Sequence, residues 1–195
     1  MDTGTRDNEN NAALLKPESY VFIRGLIDCF YRNEELQFNV DQSLPWLAFT
    51  TDMIMCAESG KLGKKVIRTR DGEEDYLIRH YLINERPKTR VTLHKTLISD
   101  TDELHNHPWA WASLILTGGY WEDTPEGKFW RPPGHFRVRK ASDLHRLIVD
   151  PKAGTVWTLF IMGEKEQDWG FLQPDGSIEQ WQKYLHRKTG IWYNE

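Results

Sequence analysis

Two histidines separated by one residue stand out as groups that could do chemistry: His105 and His107, in the run Leu104-His105-Asn106-His107-Pro108-Trp109. On a β-strand, residues i and i+2 point to the same face with Cα atoms about 6.6 Å apart, whereas on a helix they diverge by about 200°. A His-x-His pair on a strand can therefore clamp one ion, and neutral imidazole suits Fe, Zn, Ni or Cu. The alternative is a pair of surface histidines in a turn.

The sequence around this pair reads as strands separated by turns. Between residues 66 and 161, short runs rich in β-branched or aromatic residues alternate with clusters of Pro, Gly, Asn and Asp. This alternation of short strands and turns is typical of an all-β sandwich or barrel. The predicted strands cover residues 76–82, 90–98, 109–116, 119–122, 128–131, 136–139, 144–149 and 156–161.

Helical and polar segments flank the predicted β domain. Residues 1–16 are polar and aperiodic, which predicts a disordered tail. Residues 17–65 are expected to hold an amphipathic helix from Pro17 to about Arg32 and then a cover segment. The β domain is expected over residues 66–172, and residues 173–195 are predicted to form a hairpin and a short helix. The sequence thus predicts one β domain with helical ends.

The order of motifs resembles the cupin superfamily, whose two motifs are G(X)5HXH(X)3–4E(X)6G and G(X)5PXG(X)2H(X)3N. His105, His107 and Gly119 fall on the first motif, and Gly134 and His145 fall on the second. The remaining motif positions depart from the pattern: Ser99, Ala112, Lys140, Ser142 and Val149. The resemblance implies a single cupin-like jelly-roll barrel in which His105, His107 and His145 bind one metal ion.

The absent glutamate, which the spacing places at Ala112, points to a three-histidine site. Such sites resemble those of thiol dioxygenases and a few ring-cleaving or diketone-cleaving dioxygenases, which bind Fe(II) through neutral ligands. A neutral triad leaves the iron more positive, which favours an anionic, chelating substrate. The 2-His-1-carboxylate design needs a carboxylate close to His107, and the His-x-Asp/Glu spacing is absent.

Several residues on the predicted strands are candidates for the surroundings of this site. His94, one strand before the histidine pair, could hold a ligating histidine in place, be a fourth ligand or be a core histidine. Arginine suits the capture of carboxylates, and strand parity predicts that Tyr81 faces the same cavity as Arg79. The candidates for substrate binding are Arg79, Tyr81, Arg90, Trp109 and Trp111. No residue is assigned a catalytic role at this point.

Composition and charge exclude several other classes. The chain has 195 residues, a net charge of −4 and two cysteines, so it lacks a disulfide framework and the basic footprint of a nucleic-acid binder. The first residues do not form a signal peptide, and no apolar run is long enough for a transmembrane helix. We therefore expect a cytoplasmic protein with a small-molecule substrate, no membrane partner and no nucleic-acid partner.

Three functions remain open from the sequence. The leading hypothesis is a mononuclear cupin enzyme, an Fe(II) dioxygenase that oxidises a small anionic or thiol-bearing molecule. The second is a redox-neutral isomerase, epimerase or lyase that uses Zn, Ni or Mn and acts on a sugar or sugar nucleotide. The third is a non-catalytic cupin that binds a small ligand. The resemblance also implies that the protein forms a homodimer.

Overall fold

Antiparallel strands dominate the computed structural model, which describes residues 10–40, 44–69, 72–85 and 87–192. Three α-helices accompany the strands: α1 (Pro17–Arg32), α2 (Leu44–Glu58) and α3 (Trp181–Thr189). The strands are β1 (Leu36–Gln37), β2 (Lys64–Arg68), β3 (Asp75–Glu85), β4 (Thr89–Thr96), β5 (Trp109–Thr117), β6 (Tyr120–Thr124), β7 (Gly127–Arg131), β8 (His135–Arg139), β9 (Arg146–Val149), β10 (Val156–Lys165), β11 (Gly170–Leu172) and β12 (Ile178–Gln180). The predicted all-β class is confirmed. Of the predicted disordered tail, residues 1–9 lie outside the described residues, whereas Ala12–Leu14 form a short 3-10 helix and Leu15 packs in the main core.

Two sheets pack against each other and form a jelly roll. The larger sheet has the strand order β1-β8-β5-β10-β4-β3-β2, and the smaller has the order β7-β6-β9. An apolar cluster joins them, with Ile115 and Val156 from the larger sheet and Tyr120 from the smaller. A separate hairpin of β11 and β12, followed by α3, completes the described fold.

Side-chain alternation gives the larger sheet two different faces. Leu93, Leu114 and Leu159 belong to the main apolar core together with the buried face of α1 and α2. Burying each such side chain contributes about 1.5–3 kcal/mol. Their immediate neighbours point the other way, so polar side chains such as His94 and Ser113 line a cavity between the sheets.

The two N-terminal helices are built differently. The predicted amphipathic helix is α1, which buries Ile23, Leu26, Ile27 and Phe30 and ends at Asn33 in the left-handed region with φ of 56°. In contrast, α2 is apolar on most sides: Phe49 and Met53 are buried, whereas Leu44, Leu47 and Met55 are exposed. Among the described residues, no helix combines the length and apolar character needed to cross a membrane.

The histidine pair lies outside the regular strands, between the two predicted over residues 90–98 and 109–116. His105 and His107 belong to the extended segment between β4 and β5. His105 instead forms isolated β-bridges with His145 on one side and Phe171 on the other. The pair is therefore held between two other segments of the chain.

Candidate metal centre

Three histidines converge at one end of the cavity. The imidazole rings of His105, His107 and His145 form a nearly equilateral triangle, with centroid separations of 5.3, 5.1 and 5.0 Å. One ligand atom from each residue lies within 4.8 Å of the others. The predicted ligands are therefore brought together by the fold, although His145 comes from a loop about forty residues farther along the chain.

The spacing of the nitrogens fits a single transition-metal ion. The Nε2 atoms of His107 and His145 are 2.8 Å apart. Imidazole nitrogens bind such metals at about 2.0–2.1 Å, so two ligands at a right angle around one ion lie about 2.9 Å apart. Because the donors are three neutral imidazoles, the site suits Fe, Zn, Ni or Cu.

A buried carboxylate orients His145. Nδ1 of His145 lies 3.2 Å from Oε1 of Glu122, a residue of β6 that is only 2% exposed. The other carboxylate oxygen of Glu122 accepts hydrogen bonds from Arg131 Nε at 2.7 Å and from Arg139 at 2.8 Å. A carboxylate on the outer nitrogen of a ligating histidine fixes its tautomer and directs Nε2 towards the metal.

The electrostatics of this group favour an ionised Glu122 carboxylate and a neutral His107 imidazole. Burial alone would raise the pKa of Glu122, but the hydrogen bond to His145 and the charges of Arg139 and Arg131 hold it well below its usual range. Burial, followed by the neighbouring histidines, lowers the pKa of His107 well below its ordinary value. A neutral imidazole is the form that binds metal.

The backbone of the histidine pair is held on both sides by hydrogen bonds. His105 exchanges two backbone hydrogen bonds with His145, both at 3.0 Å. On the opposite side, Asn106 donates from its backbone to Gly170 at 3.2 Å, and its side-chain Oδ1 accepts from the Gly170 N–H at 2.8 Å. The segment that carries both ligands is therefore the middle of three adjacent extended segments.

Gln167 joins the two histidine-bearing segments directly. Its Nε2 donates to the carbonyl of His107 and to that of Ala141, each at 2.9 Å. The His107 N–H also donates to the Ala141 carbonyl at 3.1 Å. Residues just before β11 thus fix the distance between the segment of His107 and the loop that leads to His145.

The cavity beside the histidines has a volume of about 310 Å³. Of the residues predicted to bind substrate, Arg79, Trp109 and Trp111 line it, together with His94 and all three ligands. Aromatic side chains supply much of the remaining wall, namely Tyr76, Tyr120, Phe160, Trp169 and Phe171. The volume limits a fully enclosed ligand to a small molecule.

Tyr81 and Arg90 are not among the residues that line the cavity. Tyr81 shares the strand face of Arg79, because the pairing of β3 with β4 is regular up to Tyr81, but it lies two residues farther along the strand. Arg90 lies four residues before His94 on β4, about 13 Å away along an extended strand, and its guanidinium lies over the Trp109 ring at 5.3 Å. Position along the strands, rather than parity, thus separates these two side chains from the cavity lining.

His94 does not join the metal-ligand group. Its Nε2 accepts a hydrogen bond from Arg79 Nε at 3.1 Å and lies 3.0 Å from Thr92 Oγ1. Its ring stacks on Phe160 with a centroid distance of 4.8 Å and an interplanar angle of 21°. The histidine is thus held as part of the cavity wall rather than beside His105, His107 and His145.

The position of the absent first-motif carboxylate is occupied by an indole. Ala112, where the longer motif spacing places it, is fully buried in the core beneath the helices. Trp111 faces the site instead, with its ring 5.2 Å from that of His107 and 4.7 Å from that of His145. The shorter spacing, with three residues between the second histidine and the carboxylate position, therefore describes β5.

The sequence analysis missed three residues that support the ligands: Glu122, Asn106 and Gln167. Glu122 carried a usable signal, because it shares parity on β6 with Tyr120 and Thr124, and both are buried. An acidic residue at an inward strand position is unusual unless it is paired. Gln167 carried no comparable signal, since its partners lie 60 and 26 residues away.

Comparisons with known proteins agree with this architecture. Neither a protein-family model nor a curated protein matches the sequence. Among solved structures, a cupin-2 domain protein from Rhodospirillum rubrum superposes with a TM-score of 0.50 at 10% identity, over 60% of this chain and 79% of that one. DMSP lyase DddQ from Ruegeria pomeroyi DSS-3 gives 0.52 at 13% identity, over 78% of each chain. A structure described as DMSP lyases RdDddP and RnDddQII gives 0.55 at 14% identity, over 83% of this chain and 98% of that one.

The chain therefore has the cupin fold. The strand order, the packed sheets and the placement of the three histidines all agree with the resemblance seen in the sequence. At these identities the likeness concerns the fold alone, and function has to be argued from the site.

Proposed function

We propose that this protein is a mononuclear metal-dependent cupin enzyme, an Fe(II) dioxygenase acting on a small anionic or thiol-bearing molecule. The observation that carries the proposal is the convergence of His105, His107 and His145 at the wall of the cavity. Fe(II) in such a site would supply the redox chemistry needed to react O₂ with a substrate.

The charge balance around the ligands supports an anionic substrate. The three imidazoles bring no charge, and the negative charge of Glu122 is offset by Arg131 and Arg139. A divalent ion would therefore keep most of its positive charge towards the cavity. An anionic substrate group would be attracted to it more strongly than a neutral one.

The cavity walls would bind the rest of the substrate. Trp109 and Trp111 offer flat apolar surface, and Arg79 places a guanidinium in the lining. Aromatic walls exclude water from the reacting groups, which strengthens electrostatic interactions there. We retain these three residues as proposed substrate contacts.

A redox-neutral metal lyase is the second candidate. It is favoured by the two structures described as DMSP lyases, which cover 78% and 83% of this chain. In that case Zn, Ni or Mn would act as a Lewis acid, and the same three histidines would hold it. The two candidates differ in the metal retained and in whether O₂ is consumed.

The test is metal analysis of protein purified anaerobically without chelator. The wild-type protein is compared with His107→Ala and with His186→Ala, a histidine that stacks on Trp192 far from the cavity lining. We expect near-stoichiometric iron in the wild type and in His186→Ala, and its loss in His107→Ala with the fold intact. O₂ uptake would then be screened over thiols, diketones and aromatic acids.

Other outcomes would redirect or refute the proposal. Stoichiometric zinc, nickel or manganese, without O₂ uptake, would favour the lyase. Equal metal content in His107→Ala and the wild type would refute the three-histidine site. No metal in any of the proteins, even after incubation with Fe(II) or Zn(II), would leave a ligand-binding protein as the better description.

A further inference from the structure

The hydrogen bonds of His94 determine which of its ring nitrogens carries the proton. Arg79 Nε can only donate a hydrogen bond, and it lies 3.1 Å from Nε2 of His94. Nε2 must therefore be the unprotonated acceptor. In a neutral imidazole the proton then resides on Nδ1, so this nitrogen is a hydrogen-bond donor.

The donor nitrogen is the part of His94 left to contact a bound molecule. His94 is 7% exposed and lines the cavity, and within the described part of the chain its Nδ1 has no hydrogen-bond partner and is not enclosed by neighbouring atoms. A donor that faces the cavity in this way is open to an acceptor on a bound molecule. A ligand that accepts a hydrogen bond would pair with it.

The ring of His94 is held rigidly at a short distance from the metal ligands. Phe160 stacks on it at 4.8 Å, and the same phenyl ring is 6.4 Å from His107 and stacks on Trp111 at 5.2 Å. One small molecule in the cavity can thus reach both the three histidines and His94. Burial, and then the charge of Arg79, lowers the pKa of His94 well below its ordinary value, so the ring stays neutral.

We infer that His94 is a substrate-binding residue whose Nδ1–H recognises an oxyanion, such as a carboxylate, at the end of the substrate remote from the metal. Arg79 is a positioning residue in this arrangement, because it fixes the His94 tautomer and places a positive charge behind the ring. The substrate class is a small molecule with a metal-binding group at one end and a carboxylate at the other. This inference rests on the proposed metal site.

The first test reads the tautomer directly. In Zn(II)-loaded protein labelled with ¹⁵N-histidine, the nitrogen chemical shifts of His94 should show Nδ1 protonated and Nε2 not. Arg79→Leu should shift this equilibrium towards Nε2–H, and Arg79→Lys, which keeps a charged donor, should restore the wild-type pattern. A wild-type His94 protonated on Nε2, or a pattern unchanged in Arg79→Leu, would overturn the inference.

The second test measures binding of dicarboxylate probes to the Zn(II)-loaded protein by calorimetry. Malonate, succinate and glutarate differ in length, and at least one should bind the wild type. His94→Phe preserves the stacking on Phe160 but removes the donor, so that probe should bind about tenfold or more weakly. Zinc affinity should be unchanged.

The matched control is His80→Phe. His80 precedes Tyr81 on the same strand as Arg79, is equally buried, and is not among the residues that line the cavity. It should bind the probes like the wild type. If the wild type binds zinc but none of the three probes, or if His94→Phe binds them as tightly, the inference fails while the metal site stands. Failure of the wild type to bind zinc would instead refute the proposed function.

Discussion

His145 and Glu122 form a buried histidine–carboxylate pair, with Nδ1 of the imidazole 3.2 Å from Oε1 of the carboxylate. The second oxygen of the same carboxylate forms ion pairs with both Arg131 and Arg139. One side chain thus orients a metal ligand and pairs with two largely buried guanidinium groups. Its removal should therefore affect both the metal site and the fold.

We expect Glu122→Gln to destabilise the metal-free protein by about 3–5 kcal/mol, because two buried arginines lose their counter-charge. It should also weaken zinc binding by about 10–100-fold. Urea unfolding and chelator competition measure the two effects. Glu126→Gln, at an exposed position on the turn after β6, should change neither.

The stability difference between the wild type and Glu122→Gln should depend on pH with a defined sign. The pKa of Glu122 is lowered on folding, so its stabilising effect is complete above about pH 4.5 and is lost as the pH falls towards the folded value. The gap in unfolding free energy between the wild type and Glu122→Gln should stay constant from pH 7 to about pH 5. A gap that vanishes already near pH 6 would contradict the ionised, paired carboxylate.

Gln167 and Asn106 hold the histidine segments, and replacing each amide by the isosteric acid should have opposite effects on zinc affinity. Gln167 acts as a donor to two carbonyls, so Gln167→Glu replaces two hydrogen bonds by repulsion and should weaken zinc binding about tenfold or more. Asn106 acts as an acceptor from Gly170, so Asn106→Asp should retain zinc affinity, whereas Asn106→Ala should not.

The control for these amides is Gln173→Glu. Gln173 lies six residues after Gln167, on the hairpin of β11 and β12, but contacts Phe171 and Arg187 rather than a histidine segment. Chelator competition gives the zinc dissociation constants, and thermal unfolding reports on the fold. Equal zinc affinity in Gln167→Glu and Gln173→Glu would show that the side chain of Gln167 does not set the ligand geometry.

A glycine at position 119 has a clear structural reason. Gly119 has a φ of 126°, and a Cβ there would lie 2.6 Å from the Trp130 ring and 2.9 Å from the Arg131 carbonyl. Gly119→Ala should cost about 3 kcal/mol of stability from strain and crowding. Gly25→Ala, in an open position on α1, should instead stabilise by about 0.5–1 kcal/mol. Chemical denaturation of both variants checks the contrast, and equal effects would contradict it.

We expect the buried His80 to make the folded protein less stable under mildly acidic conditions. Burial, and then the charges of Lys64 and Lys95, lowers the pKa of this histidine to about 4, whereas the unfolded chain titrates near 6.5. Because the unfolded state binds the proton first, stability is full above pH 6.5 and falls between pH 6.5 and 4, by roughly 2–3 kcal/mol. His80→Phe should lose less over this range in metal-free protein. Parallel curves in denaturant titrations would refute the assignment.

Local patterns predicted most of the fold. Alternating β-branched and aromatic residues identified the strands from β3 to β10, and helical spacing identified α1 with its ends. The helix α2 escaped prediction because apolar residues occur on most of its sides, including the exposed Leu44 and Leu47. Without a polar face, the sequence carries no helical period to detect.

The three metal-ligating histidines were predictable from the sequence, but the residues that hold them in place were not. The spacing of two motifs identified His105, His107 and His145, and the fold brings them together. Tyr81 shares a strand face with Arg79, but strand parity does not say how far along the strand the cavity extends. Glu122 reaches His145 across 23 residues and Gln167 reaches His107 across 60, and such contacts depend on tertiary packing that no local pattern encodes.

The hairpin that follows β10 also dictates when the metal centre can form. Gln167, just before this hairpin, and Gly170, at its start, hold the segments of His107 and His105 from outside, yet they are synthesised about sixty residues after these ligands. A nascent chain that already displays all three histidines still lacks this support. Metal capture in the final geometry is therefore a late event that follows synthesis of the hairpin, and metal bound earlier would be held only loosely.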